Sequence, residues 1–196
     1  SPVRSVVYYI ETLLPQSKGK TMTREDEIFE QLKSGNRDAV EELVQLYYGE
    51  ILVYCRYHVP DPGMAEDAVQ ETFLKVFRYL DRYRHKGKFR AFLYQVAANT
   101  CVDLCRKTRS NGLLPEISYR DKGLDEEEDK EDFLLLLSCL PDDLREIVFL
   151  RFSQELKLRE IGQVLNLPLR TVQSRLRKAL KLLEKEMEER RWNMNE

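Results

Sequence analysis

The sequence contains few of the residues that build metal centres, and it has no long apolar run. Only two histidines and four cysteines occur in 196 residues, and the scattered His58 and His85 are too few to complete a zinc site. No apolar run approaches the roughly 20 residues that a membrane-spanning helix requires. We therefore expect no cofactor, no metal centre and no membrane span.

Motifs typical of catalysis are missing as well. Hydrolytic or transfer chemistry on nucleic acids needs clustered carboxylates for a metal, a nucleophile with its base, or a glycine-rich phosphate loop. Asp67 and Glu71 share one helical face, but the sequence offers no third ligand near them. These absences favour a binding protein over an enzyme.

The cysteine spacing leaves two interpretations open. There is no Cys-x-x-Cys pair, but Cys101 and Cys105 lie one helical turn apart. They could share a metal or react under oxidation. Alternatively, they are small apolar residues of the core.

Residues 1–21 carry no signal-peptide pattern of a basic start, an apolar run and a small-residue cleavage site. We therefore expect a cytoplasmic protein. We assign residues 1–21 to an N-terminal extension of unknown role, which either packs against a domain and regulates access to it or stays disordered.

Charge is strongly segregated along the chain, although the formal net charge is only −2. Residues 75–109 contain ten bases against two acids, residues 116–132 contain nine acids against three bases, and residues 157–185 contain eight bases against two acids. A local basic face attracts phosphates whatever the total charge. The two basic segments are therefore candidates for binding nucleic acid.

Apolar residues recur at spacings of three and four, which predicts helices throughout. Gly35 can end a first helix in a left-handed conformation, and Asn36 can cap the second. Two prolines and a glycine within 58–63 must end that second helix. The remaining predicted elements of this part are a helix over 64–79, a polar loop over 81–88 and a helix over 89–107.

Residues 109–131 interrupt the helical pattern. They have few apolar groups and include five consecutive acids at 125–129, so they cannot offset an ordering entropy of about 1–2 kcal/mol per residue. The sequence thus predicts an all-α protein of two small helical domains joined by a flexible acidic linker. The predicted boundaries are 1–21 for the extension, 22–108 for the first domain, 109–131 for the linker and 132–196 for the second domain.

The second domain carries the pattern of a helix-turn-helix over 157–185. A short amphipathic helix is followed by the turn Asn166-Leu-Pro168, and Gly162 is small where a second helix would approach closely. The next helix has one apolar and one polar, basic face, as major-groove recognition requires. Gln can bond adenine and Arg can bond guanine, so Gln173 and Arg177 are the leading candidates for base contacts. The alternative is a surface helix with a solvated basic face.

Basic and aromatic residues are interleaved in the predicted loop and the helix after it. The basic members are Arg82, Arg84, Lys86, Lys88 and Arg90, and the aromatic members are Tyr79, Tyr83, Phe89 and Phe92. Basic groups can follow a nucleic-acid backbone while aromatic faces stack on unpaired bases, each worth about 1–3 kcal/mol. Some of these rings must fill the core, and we expect Tyr79 and Phe89 to do so.

Three motifs together give a resemblance to a known family. They are AEDAVQETFLKVF at 65–77, FRAFLYQVAAN at 89–99 followed by Asp103 and Arg106, and EIG at 160–162 with TVQSRL at 171–176. In this order and spacing, residues 25–187 resemble the extracytoplasmic-function (ECF, group IV) sigma factors of the sigma-70 superfamily. The family usually has tryptophan where this chain has Phe92, which lacks the indole hydrogen-bond donor.

The resemblance implies a sigma-2-like first domain, a sigma-4-like second domain and three sets of contact residues. Those implied to bind core RNA polymerase are Asp67, Gln70, Glu71, Phe73, Leu74 and Lys75. Those implied to bind the promoter −10 element are Arg82, Tyr83, Arg84, Lys86, Lys88, Arg90, Phe92, Asn99, Asp103 and Arg106. Those implied to bind the −35 element are Arg159, Arg170, Thr171, Gln173, Ser174, Arg175, Arg177 and Lys178.

The implied partners are core RNA polymerase, through its β-prime and β subunits, promoter DNA and an anti-sigma factor. The implied function is that of an alternative sigma factor, which recognises both promoter elements and helps to melt DNA without catalysing a reaction. The acidic linker would then occupy the basic channel of the polymerase, or it would only keep a flexible tether soluble.

A stand-alone transcriptional regulator with the same helix-turn-helix is the alternative. Such a protein binds duplex DNA tightly by itself, usually as a dimer on a palindrome.

Overall fold

The computed structural model describes residues 22–110 and 128–194, and side chains over 24–110 and 133–189. Every described element is helical, which confirms the predicted all-α fold. The described residues form two units, each with its own core. The first contains α1 (Met22–Lys33), α2 (Asp38–His58), α3 (Pro62–Leu80) and α4 (Phe89–Ser110). The second contains α5 (Glu128–Ser138), α6 (Asp142–Val148), a π-helical turn (Phe149–Ser153), α7 (Leu158–Val164) and α8 (Leu169–Met194).

Local capping interactions set the helix boundaries in the first unit. Gly35 has a φ of +85°, and the Asn36 N–H donates to the Gln31 carbonyl at 3.1 Å, which closes α1. The Asn36 side chain then accepts from the Asp38 N–H at 3.1 Å. Asp61 caps α3 by accepting from the backbone N–H groups of residues 63 and 64 at 3.0 and 3.1 Å.

The first unit is held together by α2, α3 and α4, which pack on one another, while α1 packs on α2. Large apolar side chains from every helix are fully or almost fully buried: Ile28, Phe29, Leu43, Ile51, Tyr54, Val69, Val76, Phe89, Leu93 and Tyr94. Burying one such side chain stabilises the fold by about 1.5–3 kcal/mol. This core fixes the α3–loop–α4 segment, which carries all of the predicted −10 residues.

In the second unit, α8 packs on α6 and α7. The guanidinium of Arg145 donates to the carbonyls of Leu137 and Leu140 at 3.1 and 2.7 Å, so it ties α6 to the end of α5 and to the turn that follows it. Val172, Ala179 and Leu183 of α8 are fully buried. The apolar face predicted for this helix therefore faces the core.

The helices that flank the predicted linker extend into it at both ends. Helix α4 continues to Ser110 and α5 already begins at Glu128, four residues before the predicted start of the second domain. The predicted extension at 1–21 and residues 111–127 of the linker lie outside the described residues. Among the helices that the structure describes, none has both the length and the apolar character needed to cross a membrane.

Candidate nucleic-acid interfaces

An open cleft lies between the end of α3, the loop 81–88 and α4. It has a volume of about 600 Å³, which is within the range of small-molecule sites. The lining residues are Lys75, Arg78, Tyr79, Arg82, Tyr83, Phe92, Val96 and Asn99. Phe92, Val96 and Asn99 follow one another at spacings of four and three, so α4 presents a single face to the cleft. Three aromatic rings and three cations therefore converge in one depression.

One wall of the cleft is an aromatic cluster. The ring of Tyr83 stacks on Phe92, with centroids 5.5 Å apart and planes at 23°. It also meets Phe89 edge-on at 5.5 Å and lies 5.4 Å from the ring of Phe29. Burial, and secondarily the charge of Glu25, raises the pKa of Tyr83 to about 12. Its hydroxyl is therefore neutral at physiological pH.

His85 fastens the loop to α1. Its ring stacks on Phe29 at 4.2 Å with planes 5° apart. Its Nε2 lies 2.5 Å from Asp26 Oδ1, and its Nδ1 lies 3.7 Å from Glu25 Oε1. Glu25 also accepts a hydrogen bond from the Tyr47 hydroxyl of α2. The loop thus has a defined position relative to two other helices.

The predicted −10 residues are not all in the cleft. Arg82, Tyr83, Phe92 and Asn99 line it, while Arg84, Lys86 and Lys88 are exposed in the loop and Arg106 is exposed on α4. Arg90 lies elsewhere, because its Nε and Nη2 are both 3.0 Å from Glu50 Oε2 on α2. That ion pair braces α4 against α2.

Four lining residues are outside the predicted −10 set. Arg78 and Val96 were assigned to no interface, Lys75 was expected to bind polymerase, and Tyr79 was named among the interleaved aromatic residues but expected to be core. The expectation that Phe89 is core is confirmed, but the same expectation for Tyr79 is wrong. Tyr79 is 57% exposed and lies in the last turn of α3. The helical spacing could have placed Arg78 and Tyr79 beside Lys75 and Arg82, but not Val96, which is apolar.

The residues expected to bind polymerase divide between the surface and the interior of α3. Asp67 and Gln70 are exposed, Glu71 is half-buried and Leu74 is 52% exposed. Phe73 is only 5% exposed, so its ring belongs to the core and not to this exposed stripe. Helical geometry explains the division, since Phe73 follows Val69 at a spacing of four on the buried face.

The side chain of Lys75 turns away from that stripe towards α4. Its Nζ donates to Thr100 Oγ1 at 3.1 Å and lies 3.7 Å from Asp103 Oδ2. Arg106 Nη2 lies 3.1 Å from the other carboxylate oxygen of Asp103. Lys75, Asp103 and Arg106 therefore form a line of alternating charges beside the cleft.

The helix-turn-helix is built by a tight turn between α7 and α8. Asn166 has a φ of +53°, a conformation that asparagine adopts more readily than most residues. The Leu167 N–H donates to the Gly162 carbonyl at 2.8 Å. A Cβ on Gly162 would lie 2.8 Å from the Leu167 carbonyl oxygen and 3.8 Å from the Val172 side chain. The glycine is thus required by the turn more than by the second helix.

Six residues form one exposed stripe along α8, at spacings of three and four. They are Arg170, Gln173, Ser174, Arg177, Lys178 and Lys181. Arg159 is exposed on α7, and Thr171 is half-buried. Arg175 lies at the edge of the stripe, where its Nη1 is 3.6 Å from Asp143 Oδ2 of α6. Five of the eight predicted −35 residues therefore lie on this stripe, while Arg159, Thr171 and Arg175 lie outside it.

The structure also bears on the two interpretations of Cys101 and Cys105. Cys101 is 2% exposed in the core and Cys105 is half-buried. Across 22–110 and 128–194, no three histidine, cysteine or acidic side chains are grouped so that they could hold a metal ion. The structure thus places Cys101 as a small apolar core residue.

Family models match both units. Residues 43–111 match Sigma-70 region 2, and residues 130–183 match Sigma-70, region 4. The ECF RNA polymerase sigma factor SigW of Bacillus subtilis is 29% identical over 174 residues, which cover 80% of this chain and 93% of that protein. The ECF RNA polymerase sigma-E factor of Escherichia coli K12 is 29% identical over 178 residues, which cover 82% and 93%.

Two solved structures share the fold. The structure of CnrH in complex with the cytosolic domain of CnrY has a TM-score of 0.60 and 24% identity, and the match covers 82% of this chain and 95% of that one. The sigma factor RpoE in complex with the anti-sigma factor NepR from Bartonella quintana has a TM-score of 0.61 and 21% identity, with 76% and 96% covered. Both likenesses concern the fold alone.

One helical unit with an aromatic and basic cleft, and a second with a helix-turn-helix that exposes a basic stripe, define a two-domain transcription factor. Regions 2 and 4, in this order, are the parts that identify a sigma factor. The chain belongs to the sigma-70 family and, within it, to the extracytoplasmic-function sigma factors. The resemblance found in the sequence is confirmed, and the stand-alone regulator is not favoured because it leaves the region 2 unit unexplained.

Proposed function

We propose that this chain binds core RNA polymerase through α3, captures the −10 element in the cleft and reads the −35 element with α8. The main support for this proposal is that three aromatic rings and three cations converge in the cleft. A duplex-binding regulator needs no such cleft, because paired bases present no free face for stacking. A factor that helps to open DNA needs both stacking faces and phosphate contacts.

The energies indicate what the cleft can contribute. Stacking one unpaired base on an aromatic ring is worth about 1–3 kcal/mol, while a DNA stacking step averages about 1.4 kcal/mol. One captured base therefore offsets the loss of about one or two steps. Opening a longer bubble needs more, and the exposed cations of the loop, Arg84, Lys86 and Lys88, are placed to hold the strand's phosphates.

The −35 element is read by the exposed stripe of α8. Gln173 and Arg177 lie one turn apart, so both can face the same major groove. Ser174 and Lys178 flank them, and Arg170 lies at the helix start, where phosphates are close. Bidentate contacts of this type discriminate between bases by about 1–3 kcal/mol each.

Core polymerase docks on the surface of α3 that is formed by the exposed Asp67, Gln70 and Leu74 and the half-buried Glu71. The support is a polar, partly acidic surface around one exposed leucine, on a helix that the family resemblance assigns to this contact. The β-prime and β subunits are the partners. The chain contributes binding energy only, and the polymerase performs the chemistry.

An anti-sigma factor is a further partner. Two solved structures of this fold were determined with bound proteins, the cytosolic domain of CnrY and the anti-sigma factor NepR. Such a protein would hold this chain inactive by covering its polymerase- and DNA-binding faces. We place the chain in the cytoplasm, with two functional domains joined by the acidic linker.

Charge reversal on α3 tests the docking surface. Asp67→Lys with Glu71→Lys should weaken binding to core polymerase by more than about 100-fold, because like charges across an interface cost several kcal/mol. The matched control is Glu30→Lys with Glu41→Lys, which makes the same charge change on exposed positions of α1 and α2. Binding is measured with purified core polymerase, and affinity for a −35 duplex is measured in parallel.

The control pair should bind polymerase normally, and both pairs should keep the −35 affinity. Full-strength polymerase binding by the Asp67 and Glu71 pair would mean that docking uses another surface. In vitro transcription from a pool of genomic promoters is the test of the whole function. An unaltered chain that neither binds core polymerase nor starts transcription would refute it.

A further inference from the structure

Lys75 lies on the helix expected to bind polymerase, but its ammonium group serves a different surface. The Nζ atom donates to Thr100 Oγ1 at 3.1 Å and lies 3.7 Å from Asp103 Oδ2, both on α4. Thr100 is completely buried. The lysine therefore crosses from α3 to α4 and satisfies a hydroxyl that solvent does not reach.

The carboxylate that Lys75 approaches, that of Asp103, is unfavourable for DNA binding at its position. Asp103 follows Asn99, a cleft residue, by one helical turn. A free carboxylate there would repel the phosphates of a captured strand. Lys75 on one side, and Arg106 at 3.1 Å on the other, neutralise it. Lys75 itself also lines the cleft, so its loss changes the cleft's charge directly.

We propose that Lys75 is a positioning residue for −10 recognition and not a contact to polymerase. It holds Thr100 and Asp103 in place and cancels the negative charge that Asp103 would present to DNA. The proposal rests on the proposed function, in which this cleft binds the −10 strand. The ion pair is 31% and 43% exposed at its two side chains, so it contributes little to folding stability.

The test is a double-mutant cycle in the holoenzyme. Lys75→Met keeps the length and helix propensity of the side chain but removes its charge. Binding is measured to fork DNA whose −10 non-template strand is single, and affinity for core polymerase is measured separately. Lys75→Met should weaken fork binding about five- to tenfold, the scale of one positive charge lost near a phosphate, and leave polymerase affinity within about twofold.

Asp103→Asn should restore most of that binding in the Lys75→Met background, because the carboxylate that needed neutralising is then gone. The loss caused by Lys75→Met should also shrink as salt is raised, since salt screens the repulsion. Lys75→Arg should behave as the unaltered chain. Lys107→Met, which removes an exposed lysine elsewhere on α4, should have at most a small effect and controls for general loss of positive charge.

Several outcomes overturn the proposal. A fall in polymerase affinity for Lys75→Met would make the lysine a docking contact after all. An undiminished loss in the Asp103→Asn background would make it a direct DNA contact, and unchanged fork binding would remove its role altogether. Failure of the unaltered holoenzyme to bind fork DNA is a different result, because it would refute the −10 function of the cleft itself.

Discussion

Replacing Tyr79 with leucine should separate base capture from folding. The ring is 57% exposed at the rim of the cleft, and it is the most open of the three lining rings, since Tyr83 and Phe92 are stacked on each other. Leucine retains apolar contact and has a higher helix propensity than tyrosine. We therefore expect a change in folding stability within about 0.5 kcal/mol.

The effect on DNA should be much larger. Losing one aromatic stacking face costs about 1–3 kcal/mol. Because every 1.4 kcal/mol changes an equilibrium constant tenfold, the Kd should rise about five- to 150-fold. The assay is equilibrium binding of holoenzyme to fork DNA with a fluorescent label and a single-stranded −10 element. A series of forks, each with one abasic site, then locates the base that the ring holds.

At one abasic position, the Tyr79→Leu and unaltered holoenzymes should bind equally well, since there is no base to stack. Tyr48→Leu is the matched control, because Tyr48 is a 39% exposed tyrosine on α2 that does not line the cleft. An equal loss for Tyr79→Leu on every fork, with or without the base, would refute the stacking argument. A comparable loss for Tyr48→Leu would refute it too.

Two further predictions concern the second unit. Arg177→Ala should weaken −35 binding by about 1–3 kcal/mol at one or two base positions when binding is measured across a panel of single-base variants, whereas a uniform loss across all sequences would reassign Arg177 to a phosphate contact. Gly162→Ala should lower the thermal stability of the chain, because a Cβ would lie 2.8 Å from the backbone oxygen of Leu167. Overpacking typically costs about 1–3 kcal/mol, which outweighs the gain of about 1 kcal/mol in helix propensity. Gly49→Ala, where a Cβ would have no neighbour within 4 Å, should instead stabilise α2, and equal effects of the two substitutions on the melting temperature would contradict the argument.

The fold was predictable from the sequence because its determinants are local. Gly35, Asn36 and Asp61 each act within a few residues of their own position, and helical periodicity depends only on neighbours at three and four. The start of the second domain was less predictable. An acidic segment of low hydrophobicity has the composition of a linker, but α5 already begins at Glu128 within it.

The candidate interfaces were predictable where they depend on one helix and unpredictable where they depend on packing between elements. The α8 stripe follows from spacing alone. By contrast, no pattern in the sequence pairs Lys75 with Thr100, Arg90 with Glu50 or His85 with Asp26, residues that are 25, 40 and 59 positions apart. These contacts determine which cationic side chains are free to bind DNA and which instead hold two elements of the fold together.

The long-range contacts of His85 also bear on how the cleft works. Ordering a residue costs about 1–2 kcal/mol of backbone entropy, so a free loop of several residues would lose much of the gain from stacking one base. Here the stack of His85 on Phe29 and the stack of Tyr83 on Phe92 already fix the loop in the unbound chain. The ordering cost is therefore met by folding and not by binding. Because Phe29 belongs to α1, the cleft depends on a helix that contributes none of the residues lining it.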